Sequence, residues 1–569
     1  MSLRSVTTDL QRRQIRENRA LDFQRHYHVT DPFIKRLGLE AELQGHSGCV
    51  NCLEWNERGD QHLLREGDDV CAHLAAEDGL IRQYDLRESS KRSEVLIDLT
   101  EYCGQLVEAK CLAINPRDNN YLAVGANGPF VRLYDIRMIH NHRKSMNQSS
   151  SAGVHTFCDQ QKSIPDGAGQ YYVAGHLPVK LPDYNNRLRV LVATYVTFSP
   201  DGTELLVNMG GEQVYLFDLT FKQRPYTFLL PKKCHASSEV QNGKTTNGVT
   251  NGIHLPASRL KLAKVSSDLP PHLERIKLQA NEAFARQQWT QAIQLYSLGI
   301  HEAGHNAMLY GNRAAAYMKR KWDGDLYDAL RDCLKALSLN PAHLKAHFRL
   351  VRCLFELKYI AEALECLDDF RSKFPEQALT AWVSDDKKGN SSVRFHNFSR
   401  KESIPEDEIV LRERSFDYKH RYCGHCNTTT DIKEANFFGS KGQYIVSGSD
   451  DGSFFIWNKE TTNLVRILQG DESIVNCLQP HPSYCFLATS GIDPVVRLWS
   501  PRPESENENC RVVEDMEGAA QANQKRMNAD PLEVMLLNMG YRISGLSSRG
   551  TEGSDDEESS ESQVQCRSS

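Results

Sequence analysis

The chain has 569 residues, 40% hydrophobic and 25% charged, with a formal net charge of −6, which is room for several domains of ordinary soluble composition. No run of about 18 apolar residues occurs, and the Arg-rich first twenty residues lack an apolar core, so neither a membrane-spanning helix nor a secretory signal is expected. The 16 cysteines are scattered without a disulfide-framework spacing, which predicts a reducing compartment.

Residues 1–38 read as one or two helices broken at Asp31-Pro32, with Arg12, Arg13, Arg16 and Arg19 suited to an acidic partner surface. Nucleic acid is the lesser reading there, because no aromatics interleave with the arginines. From 39 to 230 the text becomes short β-type units. Cys71–Arg87 and Leu122–Arg137 each give a strand, a tight Gly-containing turn and a strand ending in Tyr-Asp; a third ending stands at Phe217-Asp218. After Trp55 the stretch Gln61–Val70 reads like no strand. The preceding text looks like the start of one unit and the following text like the end of another, so about two units are expected to be missing near Asp60. An exposed sheet edge would result.

Residues 231–271 hold three Asn-Gly pairs among Ser and Thr and predict a flexible linker. Residues 272–375 then follow a helical beat. Ala280 and Ala314 stand 34 apart, as do Ala329 and Ala363, whereas Ala292 and Ala329 stand 37 apart because Arg320–Asp325 lengthens one turn by three residues. Small residues at these positions let paired helices approach closely, and Pro341 ends the second pair. From His272 to Arg352 there are 12 Lys and Arg against 7 Asp and Glu, so this region is locally basic. A polar linker is expected at 376–408. The β-type units resume over 409–503, with endings at Trp457 and Trp499, 42 residues apart. Gly-His pairs stand at Gly45-His46 and Gly424-His425. Residues 504–545 carry a short apolar helix at Pro531–Gly540. Residues 546–569 form an acid-rich tail expected to be disordered, with Ser554 and Ser559 as phosphorylation candidates and a plain solubilising role as the simpler reading.

Two patterns imitate metal sites. His301-Glu302-Ala-Gly-His305 matches the zinc-protease motif letter for letter, but it falls at the close of a helix pair and Gly304 disfavours one continuous helix. Cys423-Gly-His-Cys426 is half of a zinc site without a second cysteine pair. No nucleophile elbow, phosphate loop or dinucleotide fingerprint is present, so no enzyme activity, metal or cofactor is expected.

The β-type units resemble WD40 repeats, and the 34-residue helical units resemble three tetratricopeptide repeats (TPR). The fold class expected is therefore multidomain: an all-β WD40 propeller, about five blades of a typical seven, with an inserted all-α solenoid. The resemblance to tetratricopeptide arrays that hold acidic C-termini implies a carboxylate clamp at Lys277, Asn281, Asn312, Lys345 and Arg349, with a chaperone C-terminus as its ligand. The combined order of repeats, closing with Gly424–Phe438, resembles a family of cullin–RING ubiquitin ligase substrate receptors. That resemblance implies docking on the DNA-damage-binding adaptor through blades ending in aromatic-Asp-x-Arg, here Asp85 with Arg87 and Asp135 with Arg137. Asp78 fits the first copy, whereas Asn127 replaces the acid in the second. The resemblance further implies restraint of fat storage, contact with histones or a histone deacetylase, and residence in cytoplasm and nucleus. A co-chaperone scaffold is the alternative, and a zinc metalloprotease the remote one.

Overall fold

The computed structural model describes residues 29–44, 71–75, 78–85, 94–99, 107–139, 167–177, 191–225, 269–375, 406–439, 441–481, 484–503 and 511–528. A short helix, α1 (Asp31–Lys35), has Pro32 in its first turn, where the missing N–H costs nothing, and leads into strand β1 (Leu37–Gln44). Strands β2 (Cys71–Ala75), β3 (Leu80–Asp85) and β4 (Glu94–Asp98) make a three-stranded sheet. Strands β5 (Ala109–Ile114), β6 (Tyr121–Ala126), β7 (Val131–Asp135) and β8 (Gly169–Tyr172) make the second sheet.

The third sheet begins with β9 (Val192–Phe198), β10 (Glu204–Gly210) and β11 (Val214–Asp218). Its fourth strand, β12 (His420–Tyr422), comes from the far side of the helical insertion and pairs antiparallel with β11, Val214 opposite Tyr422. The solenoid is thus inserted within one blade rather than between two. The fourth sheet holds β13 (Ala435–Phe438), β14 (Tyr444–Gly448), β15 (Ser453–Asn458) and β16 (Leu464–Gln469). The fifth holds β17 (Val475–Pro480), β18 (Leu487–Gly491) and β19 (Val495–Pro501), completed by β1 along the edge of β19.

Among the described residues there are therefore five antiparallel sheets. Successive sheets pack through their inner strands: β2 on β5, β5 and β6 on β9, β9 and β10 on β13, β13 and β14 on β17. Strands such as β10 and β14 are buried along their whole length, which explains their continuous rather than alternating apolar text. Trp457 and Trp499, the aromatic endings, are wholly buried; their indole N–H groups donate to the Cys423 carbonyl at 3.0 Å and the Thr489 hydroxyl at 2.9 Å. The stretch near Asp60, where two units were expected to be missing, lies outside the described residues.

The insertion forms three helical hairpins: α2 (Pro271–Ala285) with α3 (Trp289–Glu302), α4 (Ala307–Arg320) with α5 (Asp325–Leu339), and α6 (Leu344–Glu356) with α7 (Ile360–Lys373). Ala280, Ala292, Ala314, Ala329 and Ala363 are all buried where the helices cross, as their spacing predicts. Two further helices follow, α8 (Glu406–Arg414), which spans the expected boundary at 408/409, and α9 (Met516–Asn528). Helix α9 buries Ala520 and Met527, and Asn523 donates to the Gly424 carbonyl at 3.0 Å and to Asp451 at 2.8 Å. The helix expected at Pro531–Gly540 lies outside the described residues.

The solenoid does not hang loosely. One apolar cluster runs from Tyr172, Val207, Tyr215 and Phe217 through Tyr327 and Tyr418 into Leu330 and Ala336, so array and sheets share a core. Polar groups fix the register. Arg421, next to the end of β12, donates through Nε to Asp328 at 3.0 Å, through Nη2 to Asp325 at 2.7 Å, and through Nη1 to the Asp323 carbonyl. Tyr327 donates to Asp417 at 2.7 Å, and Tyr418 donates to Asp328 at 2.8 Å. The Arg331 guanidinium lies 4.4 Å over the Tyr418 ring. Gly175 is required by this approach, since a Cβ there would lie 2.1 Å from the Tyr327 hydroxyl. The lengthened turn at Arg320–Asp325 carries much of this contact: Gly324, at φ +79°, lies against Arg421, and Asp325 bonds both Arg320 and Arg421.

Candidate functional site

Two surfaces hold the candidate binding residues. The first is the end of β7. Asp135 closes the strand and its carboxylate accepts from the Arg137 backbone N–H at 3.1 Å. The same carboxylate takes a forked pair from the Arg137 side chain, Nε at 3.0 Å and Nη2 at 2.8 Å. Hydrogen bonding from Arg137, outweighing a partial burial, holds the Asp135 carboxyl below its ordinary range. The Arg137 guanidinium also sits 5.6 Å from the Tyr121 ring centre, yet its side chain stays 51% exposed. Asp135 and Tyr121 thus hold an arginine that remains half exposed. At the first copy, Asp85 ends β3, and Arg87 lies outside the described residues. Asp78 is committed locally, bonding the Leu80 N–H at 2.9 Å and Arg82 at 2.7 Å. Asn127 forms an isolated bridge to Val192 and so ties the second blade to the third.

The second surface is formed by α2, α4 and α6, the first helices of the three hairpins. Asn281 and Asn312 meet across α2 and α4, with Nδ2 of Asn312 3.4 Å from Oδ1 of Asn281. The same Oδ1 accepts from the Tyr296 hydroxyl at 2.7 Å. Burial pushes the Tyr296 phenol up to about 12, while Arg349 and Asn312 pull the other way. Arg349 donates Nη1 to the Gly311 carbonyl at 2.7 Å, tying α6 to α4, and burial lowers its guanidinium from the ordinary range. Three of the five expected clamp residues, Asn281, Asn312 and Arg349, are therefore gathered around Tyr296. Lys277 is different: its side chain is only 14% exposed and its ammonium lies 2.6 Å from the Glu274 carboxylate. Lys345 is exposed, with no ion pair among the described residues.

Beside these polar groups the same helices expose large apolar side chains: Leu278 on α2, Met308 on α4 and Phe348 on α6. Leu278 is three residues before Asn281, Met308 four before Asn312 and Phe348 three after Lys345, spacings that put each near its polar neighbour on one helix face. The first helices thus present amide and guanidinium groups and apolar side chains together. Sequence reasoning missed Tyr296, Gly311 and Glu274. The Glu274/Lys277 spacing of three was the available signal.

The metal look-alikes resolve into structural roles. Helix α3 ends at Glu302, and Gly304 and His305 lie beyond it, so His301 and His305 do not share one helical turn. Glu302 instead bonds His272 at 2.9 Å. His425 is buried, set edge-on against Trp457 with ring centres 5.8 Å apart, and burial lowers its imidazole to about 3. Its Nε2 is 3.2 Å from Asn208, while Cys426 sits beside Thr428 and Asp450. Ser554 and Ser559 lie outside the described residues.

Comparison with known proteins supports this architecture. The model of the WD domain, G-beta repeat, matches residues 416–458 and 462–500. The WD and tetratricopeptide repeats protein 1 of Homo sapiens is 68% identical over 673 aligned positions, covering 99% of each chain. Because this chain has 569 residues, at least 104 of those positions have no counterpart in it. The DDB1- and CUL4-associated factor 6 of Homo sapiens is 37% identical over 150 residues, 26% of this chain and 17% of that protein. Among solved structures, the first TPR of Spaghetti (RPAP3) bound to HSP90 peptide SRMEEVD is 25% identical, covering 20% of this chain and 91% of that one with a TM-score of 0.18. The near-complete match to the human protein carries the assignment, and the chain belongs to the WD and tetratricopeptide repeats protein 1 family.

Proposed function

We propose that this chain is a non-enzymatic substrate receptor of a cullin–RING ubiquitin ligase, docking the DNA-damage-binding adaptor by its blades and recruiting a target protein elsewhere. The observation that carries the reading is the Asp135–Arg137 fork, a half-exposed arginine held by two hydrogen bonds at the end of a blade. Such pre-organised arginines are favoured anchors at protein interfaces because little side-chain freedom remains to be lost. The similarity to a DDB1- and CUL4-associated factor supports the choice of adaptor. Asp85 and Arg87 supply a second docking point, and restraint of fat storage is the physiological outcome, exercised in cytoplasm and nucleus. In cells, the full chain carrying Arg87→Ala and Arg137→Ala together is expected to lose the adaptor on co-precipitation while its circular dichroism is unchanged. Undiminished recovery of the adaptor refutes the reading.

The groove of α2, α4 and α6 favours a second reading, capture of an acidic C-terminal peptide such as a chaperone's. Its support is the cluster of Asn281, Asn312 and Arg349 around Tyr296, flanked by the exposed Lys345. Each charge-assisted bond to a carboxylate contributes about 1.5–3 kcal/mol. Binding of the peptide SRMEEVD should vanish in Lys345→Ala with Arg349→Ala. Binding that survives both changes excludes the clamp.

A further inference from the structure

The peptide-capture reading leaves Lys277 unexplained, because its ammonium is already engaged by a carboxylate of the chain itself. Glu274 and Lys277 are 2.6 Å apart, on the first turns of α2. The Glu274 backbone N–H donates to the Pro270 carbonyl at 2.9 Å, so the carboxylate is carried on a fixed turn. The two partners differ in exposure: the Lys277 side chain is 14% exposed and that of Glu274 42%. The lysine is therefore the more buried partner of the pair, and the glutamate the one that faces water. Four residues on, Asn281 marks the place where the polar cluster around Tyr296 begins.

We propose that Glu274 is a built-in competitor for the groove, occupying the Lys277 ammonium until the terminal carboxylate of an acidic peptide displaces it. This rests on the peptide-capture reading and adds a specificity element to it. A neutral-ended or weakly acidic peptide does not replace the lost ion pair. A peptide with a free C-terminal carboxylate, a further acid close by and an apolar side chain for Leu278, Met308 or Phe348 does. The displaced Glu274 carboxylate regains hydration, so exchange costs little once a stronger acid cluster arrives.

The test uses the full chain and the peptide SRMEEVD, with its C-terminal amide as control, titrated by fluorescence anisotropy at low and high salt. Glu274→Gln is expected to bind the free acid roughly three- to five-fold more tightly than the parent, the range of one partly exposed ion pair. The amide should gain less, and the gain should shrink at high salt. Glu282→Gln removes the same charge elsewhere on α2, where Glu282 lies 3.5 Å from Arg286 and the pair is exposed. It should give no comparable gain. In the Lys277→Gln background, Glu274→Gln should have no effect. If parent and Glu274→Gln bind equally, or if Glu282→Gln gains as much, the competitor is refuted while peptide capture stands. If neither protein binds SRMEEVD, both fail.

Discussion

Replacing Arg421 with methionine tests how firmly the solenoid is locked to the third blade. Arg421 is 1% exposed and serves three acceptors on the array: Asp325, Asp328 and the Asp323 carbonyl. Burial alone would raise the Asp328 carboxyl, but Arg421, assisted by Arg331, outweighs it and holds that group below its ordinary range. Removing one partner of a buried pair costs about 3–5 kcal/mol, mostly the penalty of the charge left behind. The lower end applies here. Asp325 keeps a two-pronged bond from Arg320, at 2.9 and 2.7 Å, and Asp328 keeps the Tyr418 hydroxyl at 2.8 Å. A loss of about 3 kcal/mol corresponds to roughly a hundredfold more frequent opening. Hydrogen exchange of the α5 and β12 amides should accelerate by that factor in Arg421→Met, while the inner strands β14 and β18 keep their rates. Exchange within two-fold of the parent at α5 would show that the apolar contacts alone hold the array, and the electrostatic account would fall.

Glu434 bridges the fourth and fifth sheets, accepting from the Leu478 N–H at 2.9 Å and the Gln479 amide at 3.1 Å, and burial raises its carboxyl to about 7. A raised acid binds its proton more tightly when folded, so stability falls as pH climbs from about 4.5 to 7 and stays lower above. Glu434→Gln should therefore be stabilising by about 3 kcal/mol at pH 8 and by about 1 at pH 5, read from denaturant midpoints; an equal gain at both values contradicts the assignment. Asp450→Asn leaves the wholly buried Lys433, now 2.9 Å from that carboxylate, without its counter-charge. A cost of about 3 kcal/mol is expected on unfolding, and a change below 0.5 would show that Thr430 and Asn476 suffice. Gly175→Ala forces a methyl into the Tyr327 hydroxyl, and about 1–3 kcal/mol of local destabilisation should appear as faster proteolysis near α5. Unchanged cleavage would mean the tyrosine moves freely.

The three helical hairpins were legible because their alanine spacing is a local property, and the WD-type endings because Trp457 and Trp499 stand near the ends of strands of six and seven residues. What was not legible is non-local. Strand β12 has three residues and shows no periodicity, so nothing in its text announces that it completes a sheet begun two hundred residues earlier. Strand β1 likewise gains its role only from β19. Helix α9 carries mainly Ala, Gln and Asn, and its docking depends on Asn523 and two small or flexible apolar residues rather than an apolar stripe. The three residues that lengthen the turn near Trp322 carry no local sign of a contact, whereas the structure uses that turn against Arg421. For the groove, the family resemblance pointed to Asn281, Asn312 and Arg349, whereas the Glu274–Lys277 contact had only a spacing of three to suggest it.

Because the polypeptide leaves the third blade after β11 and returns to the adjacent β12, the whole array stands where a hairpin loop of that sheet would be. Neighbouring strands lie about 4.8 Å apart, so a short turn could span from the end of β11 to the start of β12, but it would strip Arg421 and Tyr418 of their partners on the array. Traction exerted on the helices by a bound protein would load the third blade by two routes, the chain at β11 and β12 and the side-chain contacts of Arg421, Tyr418 and Tyr327.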